Sequence, residues 1–418
     1  MVTGVLIGAG QRGAQVYAAY ALKYPERFKI VAVSEPDDER RCAVQKAHNI
    51  PVGNVFLDWK DLLRKDKIAD CALVCTMDRE HAAPVKAALS RGYHVLCEKP
   101  MSPNAHECIE MGNYAAQFGR TLTVCHVLRY SPFFTRVKEI IQARKIGDIV
   151  CIQQLECVGY WHQAHSFVRG NWRNSTLTSP MILQKSCHDI DILLWLSERH
   201  CKSVSSYGSL MHFRPENAPT GSPQYCMDGC LEAERCPYNA ERIYLETEEW
   251  YSEIIRKVVA PAGTREAVSA ALKRGPYGRC VYHCDNDVVD HQVVNLELTG
   301  GVTCSFTMSA FTGRGSRLLQ IMGTHGQLIC DMEQSSIEHI DFATNSRRIE
   351  YVNTSVDGHS GSDSAFMEGF LRTVDTNGAF SRSSAKDSVE SHLVALAAEQ
   401  SRLRGTTIPM EAFFAENI

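Results

Sequence analysis

Short apolar runs of strand length alternate with segments of helical period through the first third of the chain. The runs Val2–Ile7, Phe28–Ser34, Cys71–Cys75, His94–Cys97 and Thr121–Cys125 predict strands. The segments Ala14–Tyr24, Asp37–His48, Trp59–Leu63, His81–Arg91 and Ala105–Phe118 predict helices between them. Strands that alternate with helices form a parallel, doubly wound sheet. Such sheets bind ligands at the carboxyl ends of their strands. That directs attention to residues 8–13, 35, 76–81, 98–100 and 126–129.

Beyond about residue 130 the pattern changes. Helices are predicted over Phe133–Ala143 and Ser186–Leu196, and strands over Asp148–Cys157 and Ser203–Phe213. Apolar and polar positions alternate in Gln292–Leu298 and Val302–Met308, with a turn at Thr299–Gly301, so this hairpin buries one face. Leu318–Met322 and Leu328–Cys330 predict a second hairpin, and Asp363–Val374 and Ala385–Leu403 the closing helices. The expected class is α/β. A doubly wound domain over 1–128 is followed by an α+β domain over 129–418 with a large, mostly antiparallel open sheet. The stretch 214–284 begins with prolines and glycines and carries a cysteine cluster, which marks it as an insertion in the second domain. The last helices are expected to pack back near the first domain.

Composition narrows the function classes. A net charge of −4 gives no basic excess for nucleic acid, and no apolar run reaches the length of a membrane span. The chain enters a strand at residue 2, which predicts no secretory leader and a cytoplasmic protein. Seventeen cysteines would then stay reduced, most of them as small buried hydrophobes.

Gly8-Ala-Gly10-Gln11-Arg12-Gly13 follows the first strand directly. In a strand–G-x-G-x-x-G–helix unit the first glycine makes the turn, the second admits a pyrophosphate and the third lets helix and strand approach. The anion sits on the free N–H groups of the helix N-terminus. Glu35 ends the second strand roughly 20 residues later, where a carboxylate bonds the adenosine ribose diol and opposes a 2′-phosphate. The cofactor predicted is NAD, with NADP disfavoured. Lys99, in Glu98-Lys99-Pro100 at the end of another strand, projects toward the same crevice. Its ammonium can hold a substrate hydroxyl; the alternative is a solvated surface lysine.

GAGQRG, Glu35, Thr76-x-x-x-x-His81, Cys97-Glu98-Lys99-Pro100, Trp172-Arg173 and Ser186-Cys187-His188-Asp189-Ile190-Asp191 together resemble the glucose–fructose oxidoreductase / inositol dehydrogenase (Gfo/Idh/MocA) family. The resemblance implies a Rossmann domain, an open antiparallel sheet through which subunits associate as homo-oligomers, and NAD(P)-linked chemistry on sugars or cyclitols. It also implies that Thr76, His81, Glu98, Lys99 and His126 lie around the cofactor, with Lys99 and His188 at the chemistry.

The residues around His188 carry their own reading. Ser186 and Asp189 have capping-box spacing, which would place His188 in a helical first turn, where the helix N-terminus favours a neutral, proton-accepting imidazole. The family often has D-x-x-x-H here. This chain has Gln184 in place of the aspartate, followed by Lys185. Lys99, Lys185 and His188 are therefore three candidates for the proton transfer, and the sequence does not choose between them.

Trp161, His165, Arg169, Trp172 and Arg173 lie in a segment dense in aromatic rings and donors, a composition suited to sugars; the alternative is a buried loop tying domains together. Cys226, Cys230, Cys236 and Cys284 have spacings that could hold a structural zinc, with reduced unpaired thiols as the alternative. The activity expected is hydride transfer between a ring hydroxyl of a sugar, glycoside or cyclitol and nicotinamide. An NAD-recycling glycoside hydrolase acting by transient C3 oxidation and elimination needs the same base and cofactor. A non-catalytic ligand sensor is the third alternative.

Overall fold

The computed structural model describes residues 1–353 and 362–418. Six parallel strands form the first sheet: β1 (Val2–Ile7), β2 (Phe28–Ser34), β3 (Val55–Phe56), β4 (Cys71–Val74), β5 (His94–Cys97) and β6 (Leu122–Val124). Their order is β3-β2-β1-β4-β5-β6, so the direction of winding reverses between β1 and β4. A crevice opens at the carboxyl ends of these two strands, the place where doubly wound sheets hold ligands. Helices cover both faces. One apolar layer holds Val5, Ile7, Leu73's neighbours Ala72 and Val74, and Val95. The other joins Leu6, Tyr17 and Phe28 to Phe366 and Phe370 of the late helix Ser362–Asp375.

The second sheet has nine strands: β7 (Ile149–Cys157), β8 (Cys201–Ser209), β9 (His291–Leu298), β10 (Thr303–Ser309), β11 (Ser316–Gly323), β12 (Gly326–Asp331), β13 (Ser336–Asp341), β14 (Ser346–Tyr351) and β15 (Ile408–Pro409). Their order is β14-β13-β12-β11-β7-β10-β9-β8-β15. All pairs are antiparallel except β7 with β10. Helices Cys187–Ser197 and Ala385–Arg404 pack on one face, where Phe306, Leu319 and Leu296 meet Ile190, Leu193 and Val394. The other face is lined by side chains such as Gln153, Ser203, Ser205, Asn295 and Glu297.

Several elements differ from the sequence reading for identifiable reasons. β14 is almost wholly exposed and carries Arg347, Arg348 and Glu350, so no apolar period betrays it; charge is what keeps such an edge strand from pairing further. The helix predicted over Ala14–Tyr24 is π-helical over Gly13–Ala18 before turning α-helical. Its wider first turns accompany an inward-facing Tyr17, whose hydroxyl donates to Glu98 at 2.5 Å. The stretch Tyr160–Arg169, for which no element was predicted, is a mostly buried helical segment that is π-helical from Gln163.

Candidate active site

Two glycines of the first loop are fixed by space. Gly8 has φ +91°, and a Cβ there would lie 2.6 Å from the carbonyl oxygen of Cys75, at the end of the neighbouring β4. A Cβ on Gly13 would lie 2.2 Å from the carbonyl oxygen of Gly8. At Gly10, by contrast, nothing lies within 4 Å, which leaves room for a ligand against the backbone. Glu35 is buried beside this loop, accepting from the N–H of Ala9 at 2.6 Å and of Asp37 at 3.1 Å. A positive-φ turn, open backbone and a carboxylate fit an adenine dinucleotide. Gly13→Ala should push the loop off Gly8 and weaken NADH binding by about tenfold or more, ~1.4 kcal/mol, in a fluorescence titration.

Arg12 does not face this opening. Its guanidinium bonds Glu98 at 2.6 Å, Asp363 at 2.9 Å and Tyr17 at 2.7 Å. Burial opposes ionisation of Glu98, yet Arg12 and Tyr17 hold its carboxyl below the usual range. The group next to the loop thus ties it to β5 and to the late helix. Gln11 is exposed at the loop's tip. The Thr76 hydroxyl donates to the Glu80 carbonyl at 3.1 Å. The ring nitrogens of His81 lie 2.7 Å from the carbonyl oxygen of Pro100 and 3.0 Å from that of Thr76. His81 therefore fixes the loops after β4 and β5 to each other, with Lys99 beside the joint.

The Lys99 ammonium donates to the backbone carbonyl of Gln184 at 2.7 Å, reaching from the first sheet to the second domain's helices. On that side, the Lys185 Nζ lies 3.1 Å from a carboxylate oxygen of Glu156 on β7. The ring of His188 lies 6.0 Å, centre to centre, from that of His126. His126 is fully buried, with Nε2 3.6 Å from Asp191, whose carboxylate is clasped by Arg129 at 2.7 Å. Burial, with Arg129 and Lys99 nearby, holds His126 neutral, well below the usual imidazole range. Lys99, Lys185, His188 and His126 are thus gathered where the two sheets meet. His162, which the sequence offered no reason to separate from its aromatic neighbours, belongs here too: its imidazole is held neutral by burial first and then by the nearby charges of Lys185 and Lys99.

Two expectations around His188 are corrected. Helix Cys187–Ser197 begins without a side-chain cap from Ser186. Asp189 does not reach back to form a capping box because Arg317 claims its carboxylate at 2.7 and 3.1 Å.

The aromatic segment divides. Arg169 is fully buried and donates to the carbonyls of Arg279 and Tyr238, both at 2.7 Å, so it anchors the insertion. The His165 Nδ1 lies 3.0 Å from the Tyr244 hydroxyl, within the same packed region. Arg173 is engaged by Asp285 at 2.7 and 3.0 Å, so its guanidinium is already paired within the chain. One face of Trp161 is covered by Tyr251, with ring centres 3.6 Å apart. Trp172 is 36% exposed.

The zinc expectation is also corrected. Among the described residues no three His, Cys, Asp or Glu side chains are grouped to hold a metal ion. Cys226, Cys230 and Cys236 line one small cavity with Cys280, whereas the predicted fourth ligand, Cys284, is not in its lining and donates to the carbonyl of Cys280 at 3.3 Å. All seventeen cysteines are free thiols. Among the described residues no helix is long and apolar enough to cross a membrane.

Comparison with known proteins agrees with this geometry. "Putative oxidoreductase YteT" of Bacillus subtilis is 24% identical over 370 residues, covering 83% of this chain and 82% of that protein. An inositol 2-dehydrogenase of Rubrobacter xylanophilus is 28% identical over 178 residues, 42% of this chain and 47% of its own length. A solved levoglucosan dehydrogenase in complex with NADH shares the fold, with TM-score 0.72 at 15% identity over 98% of this chain and 99% of that one. The oxidoreductase family's NAD-binding Rossmann fold matches residues 2–126, and its C-terminal alpha/beta domain matches residues 138–410. The chain belongs to the Gfo/Idh/MocA family of NAD-binding oxidoreductases.

Proposed function

We propose that the protein is an NAD-dependent dehydrogenase that oxidises a ring hydroxyl of a sugar, glycoside or cyclitol. The observation that carries this reading is the Lys99 ammonium, which leaves the end of β5 and reaches the carbonyl of Gln184 at 2.7 Å, beside Lys185 and His188. Residues 1–128 hold the dinucleotide and residues 129–418 the substrate. When bound, the nicotinamide supplies the hydride acceptor. Gly8, Gly10 and Gly13 admit the pyrophosphate, and Glu35 receives the ribose diol. A substrate hydroxyl is held by Lys99 and Lys185, and its proton passes to the neutral imidazole of His188 or to Lys99 in its neutral amine form. His126, buried, and His162, half-buried, are both neutral and give the cleft polar edges without adding charge. The sugar and cyclitol dehydrogenases among its relatives support the substrate class. The polar, uncovered face of the second sheet supports association with a second copy of the chain.

The test is incubation with NAD+ or NADP+ and a panel of free sugars, cyclitols and aryl glycosides, following reduced cofactor and released aglycone separately. Net reduced cofactor is the expected result. Aglycone release without it would replace this reading with a hydrolase, and ligand binding without either would leave a sensor. The preference for NAD+ should reside in Glu35: Glu35→Ala is expected to narrow the NAD+/NADP+ ratio of kcat/KM by about tenfold, ~1.4 kcal/mol.

A further inference from the structure

The chain lacks a carboxylate four residues before His188, and the structure shows where one is instead. Gln184 turns its amide to the Thr178 hydroxyl at 2.5 Å and offers only its backbone carbonyl to Lys99. Glu156, on β7 beneath, has a side chain 1% exposed and lies 3.1 Å from the Lys185 Nζ. Arg317, on β11, stands behind both acids, 2.8 Å from Glu156 and 2.7 Å from Asp189. Two cations face two acids in this largely buried group, and the Lys185 and Arg317 charges oppose the burial that raises the Glu156 carboxyl to about 7. Were Lys185 to give up its proton, two buried carboxylates would share one guanidinium, an arrangement that low dielectric penalises. Lys99 is paired differently: its ammonium donates to an uncharged carbonyl, and the neighbouring Glu98 is engaged by Arg12 and Tyr17.

We infer that Glu156 is a positioning residue of the candidate site: it holds Lys185 as an ammonium that donates to the substrate oxygen, and leaves acceptance of the proton to Lys99 or His188. This rests on the dehydrogenase reading above. It explains how a lysine can stand beside the histidine without an adjacent aspartate. Strand β7 supplies the charge from the sheet, across the cleft floor, in place of the helix. The titratable and charged groups around Lys185 are Glu156 and Arg317 from the sheet, Asp189 from the helix, and His162 and Lys99 across the cleft.

Competitive acetylation with acetic anhydride, read by mass spectrometry at a series of pH values, tests this without turnover. In Glu156→Gln the midpoint for Lys185 labelling should fall by about one pH unit, with labelling near neutral pH rising about tenfold, while Lys99 stays put. Glu156→Asp keeps the charge and should restore much of the midpoint; it also serves if the glutamine variant folds poorly. In turnover, Glu156→Gln should lower kcat about tenfold, yet change it less than about twofold in a Lys185→Met background. Lys185 labelling that is unchanged in Glu156→Gln, or additive kinetic losses, would overturn the inference. Wild-type protein that reduces no cofactor with any substrate sinks the dehydrogenase reading instead, and the labelling still decides the ion pair.

Discussion

Lys99→Met should lower kcat by about 10³-fold while NADH binding stays within a few-fold of wild type. Methionine keeps the length and the apolar stem of the side chain and removes only the ammonium. The structural loss is one hydrogen bond to the Gln184 carbonyl, worth roughly 1 kcal/mol, so the fold should hold. The chemical loss is larger because Lys99 is the amine of the pair whose hydrogen-bond partner is an uncharged carbonyl. The Glu98 carboxylate beside it is shared, being bonded to Arg12 and Tyr17. Lys185→Met should cost less, roughly tenfold to a hundredfold, as expected for a donor that orients the hydroxyl without taking its proton. Pre-steady-state measurement of reduced-cofactor formation separates these losses from slow product release. A Lys99→Met enzyme retaining more than about a tenth of the wild-type rate would move the base to His188.

The first sheet was legible because a parallel sheet writes itself into sequence: its buried strands are short unbroken apolar runs, and each functional loop follows one of them. Val2–Ile7 and Phe28–Ser34 were readable to the residue, and Gly8, Glu35 and Lys99 at or beyond strand ends inherited that accuracy. The second domain was less legible. The β7–β10 pairing joins strands about 150 residues apart in parallel, and no local pattern encodes such a partner. The aromatic segment misled for a related reason. Arg169 and His165 have the composition of a binding surface, but the insertion folds over them, and only tertiary burial distinguishes an anchor from a ligand contact. Glu156 escaped notice because it lies in an ordinary amphipathic strand. Its significance depends on Lys185 and Arg317, which approach from other elements. The absent aspartate before His188 was the one signal that a carboxylate had to come from elsewhere.

The protein should lose stability steeply as pH falls from about 6.5 toward 5, before its exposed carboxylates titrate near pH 4. Four histidines, three buried and His162 half-buried, are held without charge. Burial holds His126 and His162 well below the usual imidazole range, and takes His165 and His392 down to about 3. In the unfolded chain each would titrate near pH 6.5. Between these values the unfolded state binds more protons than the folded one, so the stabilisation is complete above about pH 6.5 and drains away below it. Each histidine contributes a slope of up to ~1.4 kcal/mol per pH unit, about 5 kcal/mol per unit for the four. Glu156 and Asp191 act in the opposite sense, because burial raises their carboxyls and the folded protein takes up those protons first. They offset at most two of the four slopes, leaving roughly 3 kcal/mol per unit. Against a total stability of roughly 5–15 kcal/mol, two pH units suffice to unfold much of the protein. Urea midpoints measured from pH 7.5 down to 4.5 read this directly. His165→Gln, at the position bonded to Tyr244, should lower the midpoint at pH 7.5 yet flatten its decline by about one histidine's share. Midpoints that stayed level between pH 7 and 5 would mean that these imidazoles find protons in the folded state, and the cleft that depends on a neutral His126 and His162 would have to be redrawn with charge in it.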